Sequence, residues 1–135
     1  MQDPFRLISV DDHVLEPPDL WQSRLPRRYA DRSPRVARMR MRHAGHGQGW
    51  VEDPEADWCD VWLYDDLVAP LMMLQAAVGF EQLTTELTTF EQVRPGAWKQ
   101  RERLADRDLD NIEASVCFPN TLPSLDHSSG ARMTT

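Results

Sequence analysis

The sequence predicts an α/β fold in which two buried, parallel strands are joined by a long crossover. Residues 5–10 are enriched in β-branched and aromatic side chains, and residues 7–10 are apolar except for Ser9, which is typical of a strand buried on both faces of a parallel sheet. A second short apolar run, residues 114–118, ends at Pro119. Helices are expected between the two runs, and a crossover that contains helices joins parallel neighbours.

The first part of the connection predicts a short helix and then a hairpin. Asp19 follows two prolines and is expected to cap a short helical turn. Residues 36–42 alternate apolar side chains with arginines, and this period of two predicts a half-exposed strand. The glycine-rich residues 43–49 predict a turn, with a return strand through Trp50 and Val51.

The second part predicts two helices. An apolar face over residues 67–80, ended by Gly79, indicates the first of them. A narrow apolar stripe from Trp98 to Leu109 indicates the second. Three aromatic residues precede these helices, namely Trp58, Trp62 and Tyr64. They are expected to pack within an insertion, and the alternative is that they line a substrate pocket.

Composition limits the classes of protein that fit. The chain has 135 residues, is 41% hydrophobic and 27% charged, and therefore corresponds to about one domain. No apolar run approaches the roughly 18 residues of a membrane span, and the N-terminus lacks the pattern of a signal peptide. The net charge of −7 disfavours nucleic acid and anionic membranes as partners. Cys59 and Cys117 are widely spaced, which is typical of reduced thiols and predicts a cytoplasmic protein.

The chemistry is concentrated where the first predicted strand ends. Asp11, Asp12 and His13 follow its apolar run directly, and Glu16 comes three residues later. Because residues i and i+2 of a strand point the same way, Asp11 and His13 are expected to present a carboxylate and an imidazole together. That pair suits zinc or a similar divalent ion, and the alternative is a hydrogen-bonded pair without metal. Glu16 is expected to contact substrate or a metal ligand, or to cap the loop before Pro17.

Length argues that the predicted fold is incomplete. Two parallel strands do not form a stable sheet alone, and a closed barrel of eight strands needs about 250 residues. We therefore predict the N-terminal fragment of a (β/α)8 TIM barrel: its first two strands, a hairpin-containing insertion and helices, within residues 1–123. Residues 124–135 are small and polar and are expected to form a disordered tail. The arginine stripe of residues 38–42 is expected to be a solvated face, with an anionic ligand or a homo-oligomer contact as alternatives.

Several blocks of residues 5–120 resemble the amidohydrolase-related family (amidohydrolase family 2), which includes enzymes similar to aminocarboxymuconate-semialdehyde decarboxylase. The first block is ISVDDHVLEPPDLWQSRLP, and the last is RLADRDLDNIEASVCFPN. Between them, EADWCDVWLYDDLVAPLMMLQAAVGF and FEQVRPGAW are similar to the family's insertion and helix. After PNTLP the chain departs from the family pattern.

The resemblance implies a metal-dependent hydrolase that acts on a small carbonyl or carboxylate substrate. It implies that Asp11 and His13 are metal ligands, with zinc as the expected ion and manganese as the alternative. A non-oxidative decarboxylase of the same family is a further reading. The remaining ligands in that family come from later strands, so a non-catalytic, truncated remnant that lacks most ligands is the alternative to an enzyme.

Overall fold

The computed structural model describes residues 5–45, 48–78 and 81–120. These ranges hold six strands and two α-helices, which are β1 (Leu7–Val14), α1 (Leu20–Arg24), β2 (Arg35–His43), β3 (Trp50–Glu52), β4 (Trp58–Tyr64), β5 (Leu67–Pro70), α2 (Gln100–Leu109) and β6 (Ile112–Pro119). Short 3-10 helices cover Arg27–Arg32, Met73–Ala76 and Pro95–Ala97. The strands form two separate sheets.

The larger sheet is antiparallel, with the strand order β3–β2–β4–β5. Its centre is β2, which pairs with β4 from Arg35 opposite Leu63 to Arg40 opposite Trp58. The alternation of apolar and arginine residues along β2 suits a strand with one face towards a core. The β4–β5 turn places Asp65 at a positive φ of 51°, a conformation that Asp tolerates better than most residues.

The core lies on this larger sheet and consists of two clusters. One is formed by Met41, Cys59, Val61 and Val68, at the centre of the sheet. The other gathers residues from the sheet and from the flanking loops, namely Leu15, Trp62, Leu71, Ala76, Phe90 and Val93. Leu15 is 1% exposed and its N–H donates to the carbonyl of Ala97 at 2.9 Å, so the end of β1 is anchored to the main core.

The smaller sheet is the parallel pair of β1 and β6. Its register changes twice, and Ser9 lies opposite Ser115 while Asp12 lies opposite Cys117. Three residues of β1 therefore span the same length as two of β6, which is a bulge at Val10 and Asp11. The helix α2 leads directly into β6 and carries Arg103, which reaches back to β1.

The predicted TIM-barrel fragment is wrong. Although β1 and β6 do pair in parallel, the described chain between them is mainly an antiparallel sheet, and its α-helices span only five and ten residues. The predicted helix over residues 67–80 is also wrong, because Leu67–Pro70 forms β5 and Met73–Ala76 a 3-10 helix. Pro70 lies inside that predicted helix, where it lacks an N–H and disrupts the preceding turn, and pairing with β4 stabilises the strand instead.

The prediction that the outer strands are buried on both faces is wrong as well. Ile8 is 68% exposed, Val10 71% and Val116 52%. The predicted hairpin is present as β2 and β3, and the second predicted helix as α2. The predicted disordered tail, residues 124–135, lies outside the described residues. The longest helix of the described ranges has ten residues, and none is long and apolar enough to cross a bilayer.

Candidate functional site

Asp11 and His13 lie together on one side of β1. The strand continues to Val14, so both residues belong to the strand and not to the loop beyond it. The Nε2 atom of His13 is 3.3 Å from Oδ1 of Asp11, and the side chains are 58% and 80% exposed. The pair is therefore accessible to an ion from solvent.

The distance between these two atoms fits a shared metal ion. Nitrogen and oxygen ligands lie about 2.0–2.2 Å from zinc, so two ligands of a tetrahedral ion are about 3.3 Å apart. A charge-assisted hydrogen bond between an imidazolium and a carboxylate is shorter, about 2.7–2.9 Å. The spacing of Asp11 and His13 thus matches the edge of a coordination tetrahedron better than a strong hydrogen bond.

Asp12 points to the opposite side of β1, where it binds α2 and β6. Arg103 donates from Nη2 to Oδ1 of Asp12 and to the carbonyl of His13, the latter at 3.0 Å. The Sγ atom of Cys117 lies 3.7 Å from Oδ2 of Asp12. Burial raises the pKa of Asp12, but hydrogen bonds from Ser115 and Arg103 outweigh burial, and the pKa lies below its ordinary value. These contacts fix the orientation of β1 and so the direction of Asp11 and His13.

The register of the parallel pair defines its two faces. Asp12 and Cys117 share the back face, towards α2, so their neighbours Asp11, His13, Val116 and Phe118 occupy the other side. We call that side the front face; it carries Asp11 and His13 together with Ile8, Val10, Ala114, Val116 and Phe118. The rings of His13 and Phe118 are 6.0 Å apart, so the imidazole borders an apolar surface.

Glu16 lies apart from the exposed pair. It is only 6% exposed and follows Leu15, the residue that anchors β1 to the main core. This burial favours a role in the loop over direct contact with a ligand on the front face.

Sequence reasoning missed the second layer of the site. Arg103, Ser115 and Cys117 are brought to Asp12 by the parallel pairing and by the packing of α2, both of which join residues distant along the chain. The charged face of α2 was visible in the sequence. Nothing in the sequence indicated which of its arginines faces β1.

The pair has no third ligand nearby within the described chain. In residues 5–45, 48–78 and 81–120, no three His, Cys, Asp or Glu side chains come close enough together to hold a metal ion. A cleft on the antiparallel sheet, beside Arg38 and Trp58, does not include Asp11 or His13. Asp11 and His13 therefore form a close, exposed pair to which the described residues add no third ligand.

A scan against protein-family models finds no match to this chain, and no curated protein matches it. The function is therefore inferred from the contact between Asp11 and His13.

Proposed function

We propose that this protein binds a divalent metal ion, zinc in the first place, through Asp11 and His13 and uses it to hydrolyse a small carbonyl or carboxylate compound. The observation that supports this is the distance of 3.3 Å between Nε2 of His13 and Oδ1 of Asp11, which fits two ligands of one tetrahedral ion. The resemblance of the blocks around these residues to the amidohydrolase-related family supports the same chemistry.

In the proposed site, the front face of β1 carries the ligands and the back face holds the strand in position. On the front face, the Asp11 carboxylate and the His13 imidazole would hold the ion. On the back face, Arg103 holds the Asp12 carboxylate and the His13 carbonyl, so the backbone that carries both ligands stays in place. When bound, a divalent ion lowers the pKa of a water ligand and polarises a substrate carbonyl.

A second candidate function is that of a non-catalytic, metal-free chain. The observation that favours it is that the described residues bring no third ligand to Asp11 and His13, whereas catalytic zinc sites use about three protein ligands and water. In that case the 3.3 Å contact is a solvent-exposed ion pair, which contributes at most about 1 kcal/mol to stability.

Zinc binding to the purified, full chain separates the two functions. We expect saturable zinc binding by calorimetric titration, and Asp11→Asn or His13→Ala to weaken binding at least tenfold, since each removes one ligand. His43→Ala is the control, because it removes another exposed histidine, which lies at the end of β2. Equal zinc affinity of His13→Ala and the native chain would sink the proposal. Hydrolysis of a chromogenic ester that requires zinc and His13 would exclude the metal-free function.

A further inference from the structure

A cleft of about 860 Å³ lies on the antiparallel sheet, and neither Asp11 nor His13 lines it. It is bordered by β2, by the start of β4 and by the segment of residues 86–92. Sites for small organic ligands have volumes of roughly 300–1,000 Å³ and combine an apolar lining with a few polar groups. We propose that this cleft binds a small organic cation, with an ammonium or guanidinium group carried on an apolar body. Such a site is separate from the proposed metal site.

The apolar lining of the cleft consists of four side chains, namely Met41, Trp58, Met73 and Leu87. Met41 is 5% exposed and belongs to the core cluster at the centre of the sheet, against which Leu87 packs. These two residues therefore give the cleft a base that is fixed to the core. Methionine side chains are flexible and polarisable, so they adapt to apolar groups of different shapes. The lining thus suits an organic ligand better than a bare ion.

The charged residues of the lining leave an excess of negative charge. Among the described residues, Asp57, Glu86 and Glu91 line the cleft together with one cation, Arg38. The Arg38 guanidinium is already paired with Asp60, at 2.7 Å, and with Glu91, at 2.6 Å. Asp57 and Glu86 form no ion pair with any side chain of the described part of the chain. Two carboxylates are therefore available to a positively charged ligand, and a negatively charged ligand would be repelled.

Trp58 distinguishes the cleft from a simple acidic surface. The Arg40 guanidinium lies 4.7 Å from the centre of the Trp58 ring and donates to the carbonyl of Pro54. Arg40 lines a neighbouring cleft of about 230 Å³, which Trp58 also lines, but it does not line the larger cleft. A cation within about 6 Å of an indole face is attracted by the ring. In the larger cleft, a ligand cation meets Trp58 and the carboxylate of the preceding residue, Asp57.

The exposure of the site sets the strength that we expect. Trp58 is 54% exposed, and the side chains of Asp57 and Glu86 are exposed as well. Exposed ion pairs are weak and are screened by salt. The net charge of −7 favours cations over anions at long range. We therefore expect binding of moderate strength that is selective for cations and weakens at least threefold between about 20 mM and 300 mM salt.

NMR titration of the full chain with phenethylamine tests the site. EDTA is present throughout, so the proposed metal site plays no part in the result. The five tryptophans give five indole N–H signals, and the signal of Trp58 is the one lost in Trp58→Leu. We expect phenethylamine to shift the Trp58 signal in a saturable way. Phenethyl alcohol, which has the same apolar body without the charge, should bind at least tenfold more weakly, and hydrocinnamate, which carries a carboxylate, more weakly still.

The double variant with Asp57→Asn and Glu86→Gln removes both available carboxylates and should weaken phenethylamine binding at least tenfold. Both side chains are exposed, so we expect the fold to be unchanged. The matched control is the double variant with Glu102→Gln and Asp108→Asn. It removes the same charge from two exposed residues of α2 that do not line the cleft. The affinity of this control should stay within about twofold of that of the native chain.

Equal affinities of the amine and the alcohol would overturn the assignment of a cation site, as would a Trp58 signal that does not shift. Equal weakening by the two double variants would also overturn it, because the cation would then be attracted only by the charge of the whole chain. A capped peptide with one central arginine is titrated as well, because the same cationic group occurs on protein side chains. If the peptide binds at least tenfold more tightly than phenethylamine, the cleft takes a protein segment, and the assignment to a small ligand is wrong.

Discussion

Arg38 donates from Nε to Oδ1 of Asp60 at 2.7 Å, and this contact joins β2 and β4, the two central strands of the antiparallel sheet. Asp60 is 5% exposed, and its other oxygen accepts the N–H of Phe90 at 2.7 Å. Arg38 also binds Glu91 at 2.6 Å on the surface. One buried carboxylate thus holds β2, β4 and the segment that carries the core residue Phe90.

Replacing Asp60 by alanine is therefore expected to destabilise the fold strongly. The change leaves the buried N–H of Phe90 unsatisfied and the Arg38 guanidinium without its inner partner, so we expect a loss of about 2–4 kcal/mol in the free energy of unfolding. Urea denaturation followed by circular dichroism measures it. Glu91→Gln, which removes only the exposed partner, should cost less than about 1 kcal/mol. Equal losses for the two variants would contradict the assigned role of Asp60.

Stability should fall in acid partly through Asp12. Because the pKa of Asp12 is lowered in the folded state, its contribution is complete above the unfolded value of about 3.9 and is lost as the pH falls through the folded value. We expect Asp12→Asn to lower stability at neutral pH by roughly 1–2 kcal/mol and to flatten the decline in acid. Unfolding curves from neutral pH to about pH 2 measure both effects.

Arg103→Met provides the control for that prediction. If the carboxylate acts through Arg103, the double variant with Asp12→Asn should be less destabilised than the sum of the single variants, by about 0.5–1.5 kcal/mol. Strict additivity would show that Asp12 and Arg103 stabilise the protein independently.

Two tryptophans on β4 should respond very differently to truncation. Trp62 is 1% exposed within the main core, and Trp62→Ala is expected to cost about 3–5 kcal/mol because it leaves a large cavity. Trp58 is 54% exposed and lies under the Arg40 guanidinium, 4.7 Å from it. Trp58→Ala should therefore cost about 1 kcal/mol or less. Thermal unfolding of both variants tests the difference, and a larger loss for Trp58→Ala than for Trp62→Ala would contradict the placement of Trp62 in the core.

The two thiols should differ in reactivity. Cys59 is fully buried, and burial raises the pKa of its thiol, whereas Cys117 is exposed. Only the thiolate reacts readily, so a disulfide reagent should modify Cys117 rapidly and Cys59 at least about a hundredfold more slowly, through opening of the core. Absorbance should report one fast thiol per native chain and two in denaturant. Cys117→Ser should abolish the fast phase, and a fast phase that persists would place Cys59 at the surface.

Local patterns predicted the structure well where pairing is local. The alternation along β2 and the glycine-rich turn after it involve neighbouring residues, and the hairpin is present. The strand β5 was not predicted, because its apolar pattern also suits a helix. Pro70 disfavours that helix, and pairing with β4 stabilises the strand instead. The strand β1 was predicted too short because Asp11 and Asp12 disfavour strands, whereas pairing with β6 carries the strand through them.

The site shows the same division. That Asp11 and His13 share one side of β1 could be predicted, because it depends only on the alternation of side chains along a strand. The contact between Asp12 and Arg103 could not, because it depends on where α2 packs. The exposure of the front face could not be predicted either, because the predicted barrel would bury β1 and β6 on both faces.

The pairing of β1 with β6 joins the first and the last described strands, and this has a consequence for the order of folding. The strands β2 to β5 contact near neighbours along the chain, so their sheet can form early, whereas closing the long loop between β1 and β6 is slow because its entropic cost comes before its contacts form. Arg103 can reach Asp12 only after that closure. We therefore expect the strand that carries Asp11 and His13 to be set in place last, on a core that is already formed.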